Sequence, residues 1–373
     1  MTTAYSGDGI TFPDNSVQAT APRVGMVNRL INSDMRIDQR NAGASATAIN
    51  VYTVDRWHYQ ASQASKVTWQ QNAGAVTPPV GFTDYLGLTS SSAYSVLAGD
   101  YFRFYQVIEG YNIADLGWGT ASAKAITLSF QVYSSLTGTF GGSLSTGGAQ
   151  SYPFTYSIPT ANTWTTISLT IAGATGGTWG STNNAGIYVG FSLGAGATFS
   201  GTAGAWASAN YVSATGATSV VGTSGATFYV TGVQLEKGST ATDFEYVDYG
   251  RQLQMCQRYY YRIFPAAGNK LLLSAGSFFT GSASSLSGNF PVSMRVAPSA
   301  LEQSGTAGNY LVNQAGFGGA ACTSVPIFAA STVDSFQVVG TSTGLTFSAG
   351  YPSTFYTSSP TGANAFLGWS AEL

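Results

Sequence analysis

Apolar and polar residues alternate with a period of two along much of the chain. Ile126, Leu128, Phe130 and Val132 alternate with Thr127, Ser129, Gln131 and Tyr133. Ile167, Leu169 and Ile171 alternate with Thr166, Ser168 and Thr170, and Ile187, Val189, Phe191 and Leu193 alternate with Tyr188, Gly190 and Ser192. Successive side chains of a strand point to opposite faces, so each run predicts a half-buried strand. Over 227–236 the phase shifts from Phe228 and Val230 to Val233 and Leu235. Gly232 sits at the shift, which predicts a β-bulge. Further strands are expected at 51–60, 65–71, 100–109 and 206–213. Gly-rich turns are expected at Gly138, Gly141–Gly142, Gly147–Gly148 and Gly176–Gly177. Many short antiparallel strands joined by polar turns predict an all-β chain built on a jelly-roll β-sandwich.

One short helix interrupts this pattern. VDYGRQLQMCQ, residues 247–257, places Leu253 and Cys256 on an inward face, with Asp248 as N-cap. It reads as the junction between the jelly roll at 23–248 and a smaller C-terminal β-domain at 249–373. Arg258-Tyr-Tyr-Tyr-Arg262 then reads as a strand. Apolar segments at Leu271–Leu273, Phe278–Phe279, Phe336–Val339 and Ala365–Trp369 supply the second core, and the last strand runs nearly to the C-terminus.

Composition narrows the function classes. Only 8% of the 373 residues are charged, against about 25% in ordinary soluble domains. Aromatics reach 13% and the net charge is −2. These values exclude a disordered chain, a coiled coil and a nucleic-acid binder that works by neutralising phosphates. Ten charges fall within residues 8–56, whereas 125–235 carries no Asp, Glu, Lys or Arg. A surface of that kind suits packing against other copies or hydrogen bonding to sugars, and leaves few groups for acid–base chemistry. No apolar run approaches the ~18 residues of a membrane-spanning helix, so no membrane insertion is expected. The first twenty residues show no basic start and apolar run of a signal peptide. Cys256 and Cys322 are the only cysteines; two cannot form a disulfide framework, and folding in a reducing cytoplasm is expected.

Longer segments resemble a known group. NRLINSDMRIDQRNAG followed by TVDRW lies near the start. LGWGTASAKAITLSFQVYSSLTGTFGGSL and GTAGAWASANYVSATGATSVVGTSGATFYVTG occupy the middle, and GVQLEKGSTATDFEYVDYGRQLQMCQRYYYR follows. Together they resemble the jelly-roll, carbohydrate-binding-like module of bacteriophage tail fibres and related virion appendages, over roughly residues 23–262. FPVSMRVAP and FLGWSAEL resemble the domain that often follows it, and GDGITFPDNSVQAT resembles a short virion-attachment motif, placed at 1–22. The resemblance implies an obligate homotrimer on the virion, assembled in the bacterial cytoplasm, docked on other virion proteins and touching host surface polysaccharide. Tail fibres, spikes and head decorations all carry such modules, so a decoration or spacer protein without ligand and a polysaccharide depolymerase stand as alternatives to a non-enzymatic adhesin.

Candidate site residues follow from the side-chain chemistry a neutral sugar needs. Trp179 lies in the Gly-rich stretch ATGGTWGSTNNAG, where it has no evident core to fill. Beside it, Asn183 and Asn184 offer amides to hydroxyls, and Tyr188 on the next strand extends the surface. Trp118 and Trp206 sit in similar settings; each of the three tryptophans is equally readable as a core plug or subunit contact. Asp55-Arg56-Trp57, placed on a strand, reads either as a sugar site or as a structural charge cluster in which Asp55 or Arg56 pairs with Arg40, Asp38 or Glu236. Glu236, Asp243, Glu245 and Asp248 form the densest carboxylate group; they suit a solvated junction, a Ca²⁺ site or paired-carboxylate hydrolysis. Arg103 and Glu109 are expected on one strand face. His58, the single histidine, has no serine elbow or metal partners to work with.

Overall fold

In the computed structural model the alternating segments pair into two antiparallel sheets that face each other. The structure describes residues 25–263, 272–314, 316–357 and 365–373, and three short upstream strands, Ala4–Ser6, Gly9–Thr11 and Val17–Gln18. The attachment segment expected at 1–22 otherwise lies outside the described residues. The sandwich strands are β1 (Val51–Tyr52), β2 (His58–Ala61), β3 (Val67–Gln71), β4 (Leu86–Ser90), β5 (Tyr101–Glu109), β6 (Ile126–Ser134), β7 (Gly138–Ser145), β8 (Ser151–Ile158), β9 (Thr165–Ile171), β10 (Ala185–Ala195) and β11 (Thr227–Lys237). One sheet has the order β8-β7-β10-β5-β2-β1 and the other β9-β6-β11-β4-β3. The chain changes sheet after β2, β4, β5, β6, β8, β9 and β10, as a jelly roll does when each strand returns to the opposite layer.

The alternation read from the sequence fills the space between the sheets. Phe104 and Phe191 stack at 5.0 Å, and Phe130 meets Phe191 edge-on at 4.9 Å. At the expected bulge the β6–β11 register shifts between Thr231 and Gln234. Gly232 has φ 60°, and a Cβ there would sit 2.5 Å from the Phe82 ring, so both backbone and packing require glycine.

Three expectations are corrected. Gly141–Gly142 is not a turn but the middle of β7: a Cβ on Gly142 would meet Gly190 O at 2.4 Å, and one on Gly141 would meet Ser213 at 2.6 Å. The glycines are there because both faces of the strand are crowded. Residues 206–212 do not form a strand and Ser213 only opens a two-residue one, Ser213–Ala214, paired in parallel with Ser200–Gly201; Ala207 makes an isolated bridge to Ser151, and the segment lies over the outside of β7 and β8. Asp55-Arg56-Trp57 is not on a strand but in the turn joining β1 to β2, with Arg56 at φ 71° and Thr53 N donating to Trp57 O at 2.8 Å.

Helix α1 (Tyr249–Gln257) begins after Asp248, whose carboxylate accepts from Arg251 N at 3.1 Å. Cys256 is fully buried, with Leu253 half-buried beside it, against Ile31, Ile37 and Tyr259. Beyond α1, Tyr260–Ile263, Leu367–Ser370 and Glu302–Gln303 form a three-stranded sheet with the last strand of the chain at its centre. A seven-stranded antiparallel sheet completes this part. Its core holds Trp369, 4.0 Å from Phe336 and 5.7 Å from Phe290. Cys256 and Cys322 are both free and lie in different apolar clusters.

Candidate functional site

Loops 117–123, 172–184 and 202–212 meet at one edge of the sandwich and bring the three isolated tryptophans together. Trp118 and Trp179 are 4.8 Å apart, Trp118 and Trp206 5.3 Å, and Trp179 and Trp206 5.4 Å, each pair close to perpendicular. Edge-to-face contact of this kind matches the positive rim of one ring to the negative face of the next. Every indole N–H is satisfied by a backbone carbonyl: Trp118 by Lys124 O at 2.8 Å, Trp179 by Gly176 O at 3.1 Å and Trp206 by Ala172 O at 2.9 Å. The rings are therefore fixed in pose and present carbon surface. Gly119, at φ 85°, makes the arrangement fit; a Cβ there would lie 2.6 Å from Gly177 O and 3.3 Å from the Trp179 ring.

Trp118 is 7% exposed and forms the base of the cluster, while Trp179 and Trp206 are half-buried. Tyr152, on β8, extends it, 5.2 Å from Trp206. Alongside runs a groove of about 240 Å³ between the outer edges of β8 and β9, lined by Tyr152, Phe154, Leu169, Thr170, Ile171 and Gly204. The site thus combines fixed ring surface, an apolar trough and threonine hydroxyls, all within the stretch that has no ionisable Asp, Glu, Lys or Arg except Trp118's own loop.

Of the other residues picked from the sequence, Tyr188 falls elsewhere, whereas Asn183 and Asn184 end the Trp179 loop. Tyr188 lies on the outer face of the six-stranded sheet, 5.5 Å from Tyr105; Tyr105 is 5.1 Å from His58, and His58 4.8 Å from Tyr52. These rings form a row across four strands. The turn at 146–150 stands between Tyr188 and Trp179: a Cβ on Gly147 would meet the Tyr188 ring at 2.6 Å, while Gln150 reaches Gly177. Asn184 Oδ1 accepts from Thr182 Oγ1 at 3.0 Å and shapes the loop, while the backbone carbonyl of Asn183 accepts from Arg295 Nη1 at 2.7 Å.

The charged residues have structural duties. Arg40 and Arg56 both pair with Glu372, near the C-terminus, and not with Asp38 or Glu236. Arg56 is 1% exposed, lies 3.6 Å over the Tyr259 ring and donates to Val107 O at 2.6 Å. Asp55 accepts from Gln39 N at 2.9 Å and from the Gln39 side chain. Burial pushes its carboxyl up to about 7, against the opposing pull of Arg40. Trp57 is fully buried, so it has no face for a sugar. Glu236, also fully buried, accepts from Thr242 N and Oγ1, each at 2.8 Å. Glu245 accepts from Asn28 N at 2.7 Å, Asp248 caps α1 and Asp243 is exposed. Three of the carboxylates considered for Ca²⁺ or hydrolysis are thus separately engaged and the fourth, Asp243, is exposed; among the described residues no three His, Cys, Asp or Glu side chains converge. Glu109, on the same face of β5 as Arg103, accepts from Arg258 Nη2 at 2.7 Å and Tyr259 OH at 2.5 Å.

No family model matches the chain, and no curated protein sequence matches it. Solved structures to which the chain shows similarity include the enzymatically active domain of tailspike protein 4 of bacteriophage CBA120, at 13% identity and TM-score 0.31 over 57% of this chain and 21% of that one. A putative sugar binding protein of Bacteroides thetaiotaomicron is 11% identical, TM-score 0.32, over 56% of this chain and 99% of that one. The family 11 carbohydrate-binding module of Clostridium thermocellum, solved with a β-1,3-1,4-mixed-linked tetrasaccharide, is 10% identical, TM-score 0.27, over 53% and 98%. The chain spans about a fifth of the tailspike domain's length. At such TM-scores the superpositions are loose, and the fold assignment rests on the strand order itself.

Proposed function

We propose that this protein is a virion appendage of the tail-fibre kind: a homotrimer that binds neutral host-surface glycan at the Trp118–Trp179–Trp206 edge and does not cleave it. Residues 1–22 attach it to other virion proteins. The observation that carries the reading is the fixed, half-exposed tryptophan cluster beside an uncharged groove. Neutral sugars present hydroxyls and an apolar C–H face; stacking on a ring recovers burial energy, and threonine and backbone groups meet hydroxyls without desolvating a charge. A single shallow site of this type gives a Kd near ~1 mM, roughly 4 kcal/mol, and several copies per virion raise the avidity.

The test is binding of neutral glycans, followed by tryptophan fluorescence and by adsorption of trimer to host cells. Trp179→Ala is expected to weaken binding at least about tenfold. Its stability cost is about 1–2 kcal/mol, below the 3–5 typical of a fully buried Trp. Trp179→Phe retains part of the affinity. Sedimentation is expected to give a species three times the 38.7 kDa chain. Unchanged binding in Trp179→Ala, or new reducing ends in the polysaccharide, overturns the proposal.

A further inference from the structure

Arg103 differs from the other well-buried arginines. Arg40 and Arg56 have Glu372, Arg36 has Asp34, and the guanidinium of Arg295 is held by the carbonyls of Ala371, Asn183 and Glu372. Arg103 is 9% exposed, yet no carboxylate among the described residues lies within ion-pair distance of it. Its Nε and Nη2 both donate to one neutral acceptor, Gln60 Oε1, at 2.9 and 2.7 Å. Its guanidinium lies 4.6 Å over the Tyr105 ring. A nearly buried cation without a counter-ion is costly unless something pairs with it. Burial lowers its pKa accordingly. The surroundings suit a ligand: Tyr101 and Tyr188 are close enough to bias the Arg103 charge, and His58 and Tyr52 continue the ring row.

We infer that the outer face of the six-stranded sheet is a second saccharide site, specific for an acidic sugar whose carboxylate pairs with Arg103 while its ring lies against the half-buried Tyr188 and His58, Tyr105 being buried beneath the guanidinium. This rests on the glycan-binding reading but uses a face separate from the tryptophan edge. Gln60 is the selective element. A glutamate there would neutralise Arg103 from within, whereas the amide orients the guanidinium and leaves its charge for the ligand.

The decisive comparison is the wild-type trimer against Gln60→Glu, a near-isosteric change, with Arg103→Gln as a second variant. The probes are oligosaccharides bearing galacturonate, glucuronate or sialate, their carboxyl-reduced counterparts, and inorganic sulfate. Wild type is expected to bind at least one acidic probe about tenfold or more tighter than its reduced form. Both variants lose that preference, and Gln60→Glu melts at a higher temperature because the charge is now paired. Neutral-glycan binding, lost in Trp179→Ala, persists in both. The single histidine reports occupancy directly, since a bound carboxylate raises the His58 pKa from about 4. A preference that survives both variants, no acidic preference at all, or equal response to sulfate overturns the inference. Acidic binding by a wild type that binds no neutral glycan sinks the tryptophan site and leaves this one standing.

Discussion

The two sides of the sandwich handle charge in opposite ways. On the side facing α1 and the C-terminal sheets, ionised groups cross-link distant parts of the chain: Arg56 to Glu372, 316 residues apart, and Arg258 to Glu109, 149 apart. On the β8–β9 edge, aromatic rings and hydroxyls do the equivalent work with no charge at all. A buried ion pair is directional and intolerant of a missing partner, so it fixes how two separately cored parts meet. A ring-and-hydroxyl edge carries no field, so it can accept a neutral partner or a second copy without desolvating a charge. With so few charges available, their concentration at the junction is what leaves the far edge neutral.

The largest effect is expected at Glu372. Glu372→Gln strands the fully buried Arg56 without its ion-pair partner, while Arg40 keeps the weaker pull of Asp55, and the expected loss is about 3–5 kcal/mol. Replacing Arg56 and Glu372 together by Met should cost less than the single change, because it removes the charges rather than stranding one. Thermal unfolding of the three proteins checks the order. A loss below about 1 kcal/mol, the range of exposed pairs, means the junction is not held ionically.

His58 tests the same border by pH. Burial lowers its pKa to about 4, with Arg103 acting in the same direction and Glu372 against it. An unfolded chain takes up this proton near pH 6.5. Between pH 6.5 and 4 the unfolded state therefore binds more protons, and stability falls as pH falls, by up to about 3 kcal/mol. Asp55, pushed up to about 7, acts in the opposite sense and gains stability over part of the same window. The His58 contribution is therefore read as the difference between wild type and His58→Gln across pH 4–7. Because the chain has one histidine, a single imidazole resonance locates the pKa. A midpoint near 6.5 in the folded protein removes the effect.

Much of the sandwich was legible because half-buried strands write their geometry as a period of two. Ile126–Val132, Ile167–Ile171 and Ile187–Leu193 all became strands with those residues facing inward, and the Gly232 phase shift became a bulge. β7 was hidden because glycines selected for crowding look the same as glycines selected for turning. At the site, Trp118, Trp179 and Trp206 each stood out locally as aromatics in Gly/Ala settings. Their assembly is set by three loops far apart in sequence, which no local pattern encodes. Tyr188 was assigned to the same surface as Trp179 by proximity in sequence; the 146–150 turn, brought in by β7–β8 pairing, separates them. The sequence places Arg103 on one strand face with Glu109, but its actual partner, Gln60, lies on the neighbouring strand, and the pairing across β2 and β5 is set by a register no local pattern encodes.

The smallest expected effect is at the start of α1. Asp248 accepts from Arg251 N at 3.1 Å and satisfies one of the helix's unpaired first-turn N–H groups. Asp248→Ala should cost about 1 kcal/mol, and Asp248→Asn nearly nothing, since an amide oxygen caps as well as a carboxylate. The nine-residue helix is short, so its stability comes from docking Cys256 and Gln252, both buried, rather than from its own turns. Its C-terminal end is held independently by Arg258 and the neighbouring Tyr259, both bonded to Glu109. Fraying of the first turn should therefore leave the ionic junction intact, and the melting temperature should fall far less than for Glu372→Gln. If Asp248→Ala costs as much as Glu372→Gln, the helix and not the ion pairs fixes the junction, and the contrast between a charged seam and a neutral edge loses its structural meaning.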